Sequence, residues 1–196
     1  MTSLKYGTGN DPYCYKGTDV LINKLNIKDA TILEQAETEI SNIASELIDF
    51  SPPPYDFPYL QNIHQKLFGD LYIWSGQIRT IGMNKGDTMF CRPEYIQREV
   101  NKLFITITEA NYFQHLSLST LIIKIAALYG DLNIIHPFRE GNGRSQRILF
   151  EHIIVNCGYK ISWANVNKDE WIQANINSVH CDYSLLEGIF TLCITE

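Results

Sequence analysis

Residues 136–147 read His136-Pro137-Phe138-Arg139-Glu140-Gly141-Asn142-Gly143-Arg144-Ser145-Gln146-Arg147. An apolar helical segment leads to His136, and Pro137 then takes the chain out of helical geometry. Gly141 and Gly143 allow a tight turn and a close approach of the backbone to a ligand. A new helix is predicted to begin near Asn142, so its free N–H groups and positive dipole end would face the loop. The stretch therefore predicts an anion-binding loop between two helices.

Charged side chains of the same stretch add chemistry to this loop. Arg144 and Arg147 are three apart on the predicted helix and share a face, so two guanidinium groups would flank one pocket. Glu140 supplies a hard oxygen ligand, whose natural partner here is Mg²⁺ bridging phosphate oxygens. His136 can take a proton from an incoming hydroxyl near neutral pH. This combination indicates phosphoryl or nucleotidyl transfer, although Glu140 also suits a helix start by charge alone and the arginines also suit a solvated helix face.

Composition limits the class of protein. The 196 residues are 45% hydrophobic and 19% charged, which predicts one domain over residues 1–196 with a core of ordinary size. Lys and Arg number 16 against 22 Asp and Glu, and the formal net charge is −6. This acidic balance argues against direct binding to a nucleic-acid polymer, but it leaves room for a local basic pocket.

Cysteine usage and targeting signals point to a reducing compartment. The five cysteines are odd in number and irregularly spaced, so we expect buried free thiols rather than a disulfide framework or a zinc site. The first eleven residues lack the apolar core of a signal peptide. The longest apolar run, residues 121–128, is interrupted by Lys124 and is too short to cross a membrane. We expect a cytoplasmic protein without a membrane partner.

Helical periodicity dominates the chain. Asp29 precedes a long segment with apolar residues at spacings of three and four. These residues are Ile32, Leu33, Ala36, Ile40, Ile43, Ala44, Leu47 and Ile48. Three prolines from Pro52 end this helix, and a second stripe follows at Leu60, Ile63, His64, Leu67 and Leu71. Thr18 is also predicted to cap a short helix carrying Val20, Leu21 and Leu25.

Further helices are predicted over residues 93–107, 119–135, 142–157 and 170–179. Asn167 and Glu170 resemble a capping box, Ser184 and Glu187 are predicted to open the last helix, and Gly158 suits a left-handed helix end. Between these helices the period changes, because residues 77–81 alternate polar and apolar side chains and 84–87 suit a turn. The sequence thus predicts a mainly α-helical bundle with one small β-hairpin over about residues 77–91.

The stretch from His136 to Arg147 matches the signature of the Fic (filamentation induced by cAMP) family, H-[PX]-F-x-[DE]-G-N-G-R-x-x-R, at every specified position. Two weaker features resemble the same family. Residues 63–79 resemble the segment that leads into the Fic flap, with the hairpin as the flap itself. The opening from Gly7 to Tyr15 resembles short bacterial Fic proteins. The resemblance implies the Fic fold, with the active-site loop and its helix over residues 136–157.

The resemblance also implies roles for individual residues. Fic enzymes mostly transfer AMP from ATP to a Ser, Thr or Tyr hydroxyl of a target protein, so His136 would be the general base and Glu140 would hold Mg²⁺. Phosphates would bind the amides of Gly141, Asn142 and Gly143, the Asn142 side chain, Arg144 and, at the γ-phosphate, Arg147. Phe138 would be a buried anchor, and Gln173 would approach the adenosine. The flap residues Lys85, Gly86, Asp87 and Thr88 would pair with an extended target segment.

Regulation is inferred from a missing motif. Many Fic proteins carry [ST]-x-x-x-E-[GN], whose Glu pairs with the second arginine, but no Glu of this sequence has Ser or Thr four residues earlier. The segment before the first helices is also expected to be too short for an additional inhibitory helix. The resemblance therefore implies a toxin whose separate small antitoxin supplies an inhibitory Glu to Arg147.

Three functions are consistent with the sequence. The first is a protein adenylyltransferase, and in this family such short toxins modify bacterial type II topoisomerases. The second uses the same fold to transfer phosphate, UMP or phosphocholine. Gly143 favours the first, because relatives that transfer a terminal phosphate carry a bulkier residue there. The third is a non-catalytic binding module with a vestigial site.

Overall fold

The computed structural model describes residues 11–196, and these residues are mostly helical. The described helices are α1 (Ala30–Glu46), α2 (Phe57–Phe68), α3 (Pro93–Glu109), α4 (Leu118–Ile135), α5 (Asn142–Asn156), α6 (Lys168–Ser178) and α7 (Ser184–Cys193). A single 3-10 turn covers Asn111–Phe113. The strands are β1 (Asn84–Lys85), β2 (Thr88–Met89), β3 (Lys160–Ile161) and β4 (Ile194–Thr195). The predicted mainly α-helical bundle with a small hairpin is confirmed.

Helix α4 is the centre of the bundle. It packs against α3, α5, α6 and α7, so apolar side chains are needed around much of its circumference. Its 18 residues have a mean hydropathy of 1.5, which by length and composition alone would suit a membrane span. Half of the helix is buried within the protein, and its place in the core accounts for this composition. The apolar run at residues 121–128 therefore belongs to a longer apolar helix than the sequence analysis recognised.

Helix α1 begins where the sequence predicts but is less buried than expected. The Asp29 side chain accepts hydrogen bonds from the amides of Thr31 and Ile32, which caps the helix. Only Leu33 and Ser41 of α1 are buried. Ile32, Ile43 and Leu47 of the predicted apolar face are exposed. The helix thus lies on the surface, with one narrow line of side chains directed at α2 and the site described below.

The predicted helix after Thr18 is wrong. Residues 11–29 form turns, and an isolated antiparallel bridge joins Cys14 to Leu21. The Thr18 hydroxyl donates to the Tyr15 carbonyl and accepts from the Val20 amide, so it closes a tight turn instead of capping a helix. Of the opening from Gly7 to Tyr15, the residues before Asp11 lie outside the described part of the chain.

The hairpin is shorter than predicted. Strands β1 and β2 pair antiparallel in the register Asn84 to Met89 and Lys85 to Thr88, so Gly86 and Asp87 form the turn. Gly86 has a φ of 57°, as expected in such a two-residue turn. Residues 77–81 are not a strand. The alternation there was misleading because Arg79, and not its apolar neighbours, is the buried residue.

Helix ends in the C-terminal half agree partly with the predictions. Gly158 has the left-handed φ of 89°, and the Asn167 side chain caps α6 by accepting from the amides of Asp169 and Glu170. Helix α6 begins earlier than predicted, at Lys168. Ser184 is the first residue of α7 and not its cap, which is Tyr183. The pairing of β3 with β4 was not predicted, because each strand has only two residues.

The cysteines are only partly as expected. All five are free thiols, and Cys193 is buried. Cys14, Cys91 and Cys157 are partly buried, whereas Cys181 is exposed. The prediction of buried thiols is wrong for Cys181 because it lies in the turn after α6, with a φ of 59°.

Candidate active site

The loop between α4 and α5 is closed by its own side chains. His136 ends α4 in a left-handed conformation, with φ 50° and ψ 62°. The Asn142 side chain then accepts from the Phe138 amide at 2.8 Å and donates to the Phe138 carbonyl at 2.7 Å. Because both the oxygen and the nitrogen of this buried side-chain amide are hydrogen-bonded to Phe138, the Asn142 side chain holds the loop closed. This disagrees with the expectation that the Asn142 side chain contacts phosphate.

The two glycines of the loop have different surroundings. Gly141 has a φ of 81°, and a Cβ there would lie 2.2 Å from the Phe68 ring. A Cβ at Gly143 would meet no protein atom within 4 Å. Gly141 is therefore required by the protein itself, whereas Gly143 opens onto the space in front of α5.

The first turn of α5 presents amide donors to that space. Helix geometry leaves the N–H groups of Asn142, Gly143 and Arg144 outside the intrahelical ladder, at the positive end of the dipole. The Gly141 amide differs, because it donates to its neighbour Glu140 Oε1 at 2.9 Å. The arrangement thus supports an anion site made of the amides of residues 142–144, with the Gly141 amide already engaged.

His136 is buried beneath the hairpin. Its ring stacks on Phe90, which follows β2, with 3.9 Å between centroids and 14° between planes. Nδ1 lies 3.2 Å from the Asn133 carbonyl, which can only accept, so Nδ1 carries the proton and the lone pair is on Nε2. Burial lowers the pKa of His136 to about 3, and the positive charges of Arg79, Lys85 and Arg139 act in the same direction. The imidazole is consequently neutral at pH 7 and can act as a base through Nε2.

Arg79 joins the hairpin to the loop between α4 and α5, a role that sequence reasoning missed. Its Nε donates to the His136 carbonyl at 2.7 Å and its Nη1 to the Ile81 carbonyl at 2.5 Å. Nη2 donates to the carbonyls of Cys91 at 2.5 Å and Ile135 at 3.3 Å. The side chain is only 1% exposed, and burial lowers its pKa to about 10. One guanidinium thus joins both ends of the hairpin to the end of α4.

Phe138 and His64 form the floor of the loop. Phe138 is buried, as predicted for an anchor, and its ring lies 3.9 Å from the His64 ring. His64 Nδ1 accepts from the Gly76 amide and Nε2 donates to the Glu140 carbonyl, each at 2.8 Å. Burial lowers the pKa of His64 to about 4, so this bridge uses a neutral imidazole.

Arg144 and Arg147 line one cavity, as their spacing predicts. The cavity has a volume of about 270 Å³ and lies between α1 and α5. Its other lining residues are Ser41, Asn42, Ser45, Glu46, Ile48, Leu67, Ile148 and Glu151. Arg144 Nη2 forms an ion pair with Glu37 of α1, and its Nη1 donates to Ser41 Oγ at 2.9 Å. The wall opposite α5 therefore carries carboxylate and hydroxyl groups that the sequence analysis did not connect with the site.

Arg139, the variable position of the motif, is a structural residue. Its Nη2 lies 2.6 Å from Asp11 Oδ2, and both side chains are nearly buried. The pair joins the start of the described chain to the loop, across a sequence separation that no local pattern reveals. Such a buried pair is costly to break from one side, because the other charge would be left without compensation.

Glu140 is suited to ligate Mg²⁺ only if oxygen atoms of the substrate complete the coordination shell. Its Oε1 accepts from the Gly141 amide and lies 3.6 Å from Arg144 Nη2, and one fifth of the side chain is exposed. Within residues 11–196 no cluster of three or more His, Cys, Asp or Glu could hold a metal by itself. One carboxylate beside an anion site is the donor set that Mg²⁺ uses when phosphates and water complete its shell. The residues present therefore fit this ion.

The remaining predicted site residues lie in the exposed hairpin or on α6, away from the loop between α4 and α5. Lys85, Gly86 and Asp87 are exposed in the hairpin, with Thr88 partly exposed. Gln173 is exposed on α6, which packs against α4 and α7, and its Nε2 donates to Asn177 Oδ1 at 2.8 Å. Among the described contacts Gln173 has none with residues 136–141, so the structure does not bring it together with the other predicted site residues.

Comparisons with known proteins agree with this geometry. A family model described as Fic/DOC family matches residues 54–154, which include α2, the hairpin and most of α5. The probable protein adenylyltransferase Fic of Escherichia coli strain K12 is 37% identical over 194 residues, covering 99% of this chain and 97% of that protein. Protein adenylyltransferase VbhT of Bartonella schoenbuchensis is 32% identical, covering 98% of this chain and 41% of that protein.

A solved structure extends the likeness to the fold. The BepC protein of Bartonella tribocorum, solved with bound AMPPNP, superimposes with a TM-score of 0.86 at 25% identity. The superposition covers 93% of this chain and 96% of that chain. Together with the family model and the Escherichia coli relative, which matches over 97% of its length, it shows that the chain belongs to the Fic/DOC family.

Proposed function

We propose that this chain is a protein adenylyltransferase that transfers AMP from ATP to a hydroxyl side chain of a target protein. The observation that carries the proposal is a neutral, buried His136 on the loop that leads into α5, whose first-turn amides are free, with two arginines of α5 lining one cavity. Relatives named protein adenylyltransferases support it at 32–37% identity over nearly the full chain. A related structure holds AMPPNP, which supports ATP as the nucleotide.

Each step of the reaction falls to a separate group. The amides of residues 142–144 and the Arg144 guanidinium bind the α- and β-phosphates, and Arg147 grips the γ-phosphate. His136 Nε2 accepts the proton of the target hydroxyl, whose oxygen forms a bond to the α-phosphorus as the bond to the pyrophosphate oxygen breaks. Mg²⁺ held by Glu140 would neutralise charge on the phosphates and on the departing pyrophosphate.

The low pKa of His136 is compatible with this role. Burial and three cationic neighbours lower the pKa in the free protein. A bound triphosphate brings several negative charges close to the ring, and an opposite charge favours the protonated form. Nucleotide binding should therefore raise the pKa of His136 toward neutrality, where a general base works best.

The hairpin serves as the docking edge for the target. Lys85, Gly86, Asp87 and Thr88 lie at its tip, and its root is fixed next to His136 by Arg79 and Phe90. An extended target segment that adds as a strand would take its register from backbone hydrogen bonds, without a requirement for particular side chains. A type II topoisomerase subunit is the target class to be tested first.

A small antitoxin supplying an inhibitory Glu to Arg147 is the proposed regulator. Arg147 lines a cavity between α5 and α1, and Ile43 of α1 and Leu47 just after it are exposed. A helix placed there could bring a carboxylate to Arg147 and so compete with the γ-phosphate. The purified chain should then be active by itself. Full restraint of the isolated chain, relieved by mutating one of its own glutamates, would refute this regulation.

The alternative functions make different use of the same site. Transfer of phosphate, UMP or phosphocholine would place a different phosphorus next to His136, and Gly143 favours AMP because it leaves open space before α5. A non-catalytic binding module would have no need of the neutral His136 beside the cradle. Gln173 keeps its proposed adenosine contact only if nucleotide binding moves its side chain.

Radiolabel position distinguishes these functions. The protein is incubated with Mg²⁺, cell lysate or purified topoisomerase, and ATP labelled at either the α- or the γ-phosphate. We expect protein-bound label from α-labelled but not from γ-labelled ATP, and loss of that label in His136→Ala and Glu140→Ala. His180→Ala and Glu109→Ala are matched controls on the surface and should keep full activity.

Other outcomes identify the alternatives. Label from γ but not from α would indicate phosphorylation, and label from neither would leave the binding module. Equal labelling by wild type and His136→Ala would contradict the role of His136 even if AMP is transferred.

A further inference from the structure

We infer that Glu37 on α1 is a positioning residue for the reaction, which holds the Arg144 guanidinium in the orientation that receives the phosphates. This inference rests on the proposed function and adds a residue that lies outside the loop, 107 positions from Arg144.

Three contacts with α1 and α2 determine the plane of the Arg144 guanidinium. Nη2 pairs with Glu37 Oε1, and Nη1 donates to Ser41 Oγ at 2.9 Å, both from α1. The guanidinium carbon lies 4.6 Å from the centre of the Phe68 ring. An ion pair, a hydrogen bond and an aromatic face together leave a planar group little freedom to rotate.

Glu37 is itself held by the core. Its Oε2 accepts from the Tyr72 hydroxyl at 2.5 Å. Tyr72 is fully buried and stacks on Trp74, with 4.4 Å between ring centroids. Burial, and then the Glu37 charge, raises the pKa of the Tyr72 phenol, which therefore remains a donor. The Glu37 carboxylate is therefore held in place by a buried tyrosine of the core, and it in turn restricts the movement of the Arg144 guanidinium.

The number of N–H donors on Arg144 indicates that Glu37 positions this arginine without preventing it from binding phosphate. A guanidinium has five N–H donors in a fixed fork, and the hydrogen bonds to Glu37 and Ser41 use two of them. Arg144 also retains 26% of its side-chain exposure, compared with 14% for Glu37. The arginine can therefore bind phosphate while Glu37 stays in place. An arginine oriented in advance loses less conformational entropy when the ligand binds.

The experiment compares Glu37→Gln and Tyr72→Phe with wild type in AMP transfer, with the concentrations of ATP and of target varied separately. Glu34→Gln, an exposed carboxylate one turn away on α1, is the matched control. We expect Glu37→Gln to raise the KM for ATP about tenfold and Tyr72→Phe to raise it several-fold, at an unchanged KM for the target. The Kd of AMPPNP, measured by calorimetry on the same proteins, should rise in parallel.

A purely structural role of Glu37 would give a different pattern. It would lower the melting temperature and raise both KM values, and its effect would persist in an Arg144→Ala background. Positioning predicts that Glu37→Gln adds no further loss of ATP affinity to Arg144→Ala. An unchanged or lower KM for ATP in Glu37→Gln, while wild type transfers AMP, overturns the inference alone. Absence of transfer and of AMPPNP binding in wild type overturns the proposed function, and the inference with it.

Discussion

At the scale of single residues, two buried imidazoles connect the site to acid stability. His64 and His136 are neutral in the folded protein because burial lowers their pKa values to about 4 and about 3. In the unfolded chain a histidine binds a proton near pH 6.5. Between pH 6.5 and 4 the unfolded state therefore binds more protons, so acid shifts the equilibrium toward unfolding.

We predict that the free energy of unfolding falls as the pH is lowered from 6.5 to 4. Each of the two histidines lowers the free energy of unfolding by up to about 1.4 kcal/mol for each pH unit of acidification in this range. Urea titrations at pH 7.5, 6.0 and 5.0 measure this slope. His64→Gln should make the slope shallower, because it removes one of the imidazoles whose pKa burial lowers. Stability that does not vary between pH 7 and 5 would show that these imidazoles titrate normally.

The two loop glycines give a second prediction. Gly141→Ala forces a Cβ into the Phe68 ring at a φ of 81°, and we expect a loss of several kcal/mol with little soluble protein. Gly143→Ala places its Cβ in open space, so its stability should lie within about 1 kcal/mol of wild type. Thermal melts compare the two variants. Equal destabilisation would mean that the space before Gly143 is filled in solution.

At the scale of elements, Arg79 joins the hairpin and the loop between α4 and α5 into one unit. We predict that Arg79→Lys, which keeps the charge but loses the planar fork, releases the hairpin from the loop. Amide exchange should become faster in residues 81–91 and 135–138 than in α3, because the carbonyls that Arg79 joins lie in those two segments. Lys102→Arg, at an exposed position of α3, is the control for the reverse substitution and should leave these exchange rates unchanged. Uniformly faster exchange would instead indicate a global loss of stability.

Local signals explain which elements the sequence predicts. Helices α1 and α3–α5 follow from apolar periodicity and from caps such as Asp29, which act within a few residues. The alternation at residues 77–81 failed because the partner carbonyls of Arg79 lie as far as 57 residues away. The motif predicts that Arg144 and Arg147 share a cavity, but Glu37 could not be paired with Arg144 from spacing. Long-range contacts of this kind arise only when the helices pack.

At the scale of the whole molecule, the net charge of −6 is unfavourable to the polyanion that we propose binds at the loop before α5. The cradle amides, Arg144 and Arg147 supply local positive potential, and an additional cation is needed to balance a triphosphate. We predict that ATP with Mg²⁺ raises the melting temperature. At a ligand concentration 100 times Kd, binding adds about 2.7 kcal/mol to the free energy of unfolding.

Thermal shift measurements with and without EDTA test this dependence on Mg²⁺. Glu140→Ala should lose most of the increment that Mg²⁺ adds to the shift with ATP, whereas Glu109→Ala should keep it. An identical shift in the presence of EDTA would contradict a metal role for Glu140.

The ring of Phe68 has an evolutionary consequence. It fills the space that Gly141 leaves open, and it supports the Arg144 guanidinium from below. A smaller residue at position 68 would make room for a side chain at 141, but it would also remove the surface on which Arg144 rests. Positions 68, 141 and 144 are thus expected to show strong epistasis, so that a substitution at one of them is tolerated only together with compensating changes at the others.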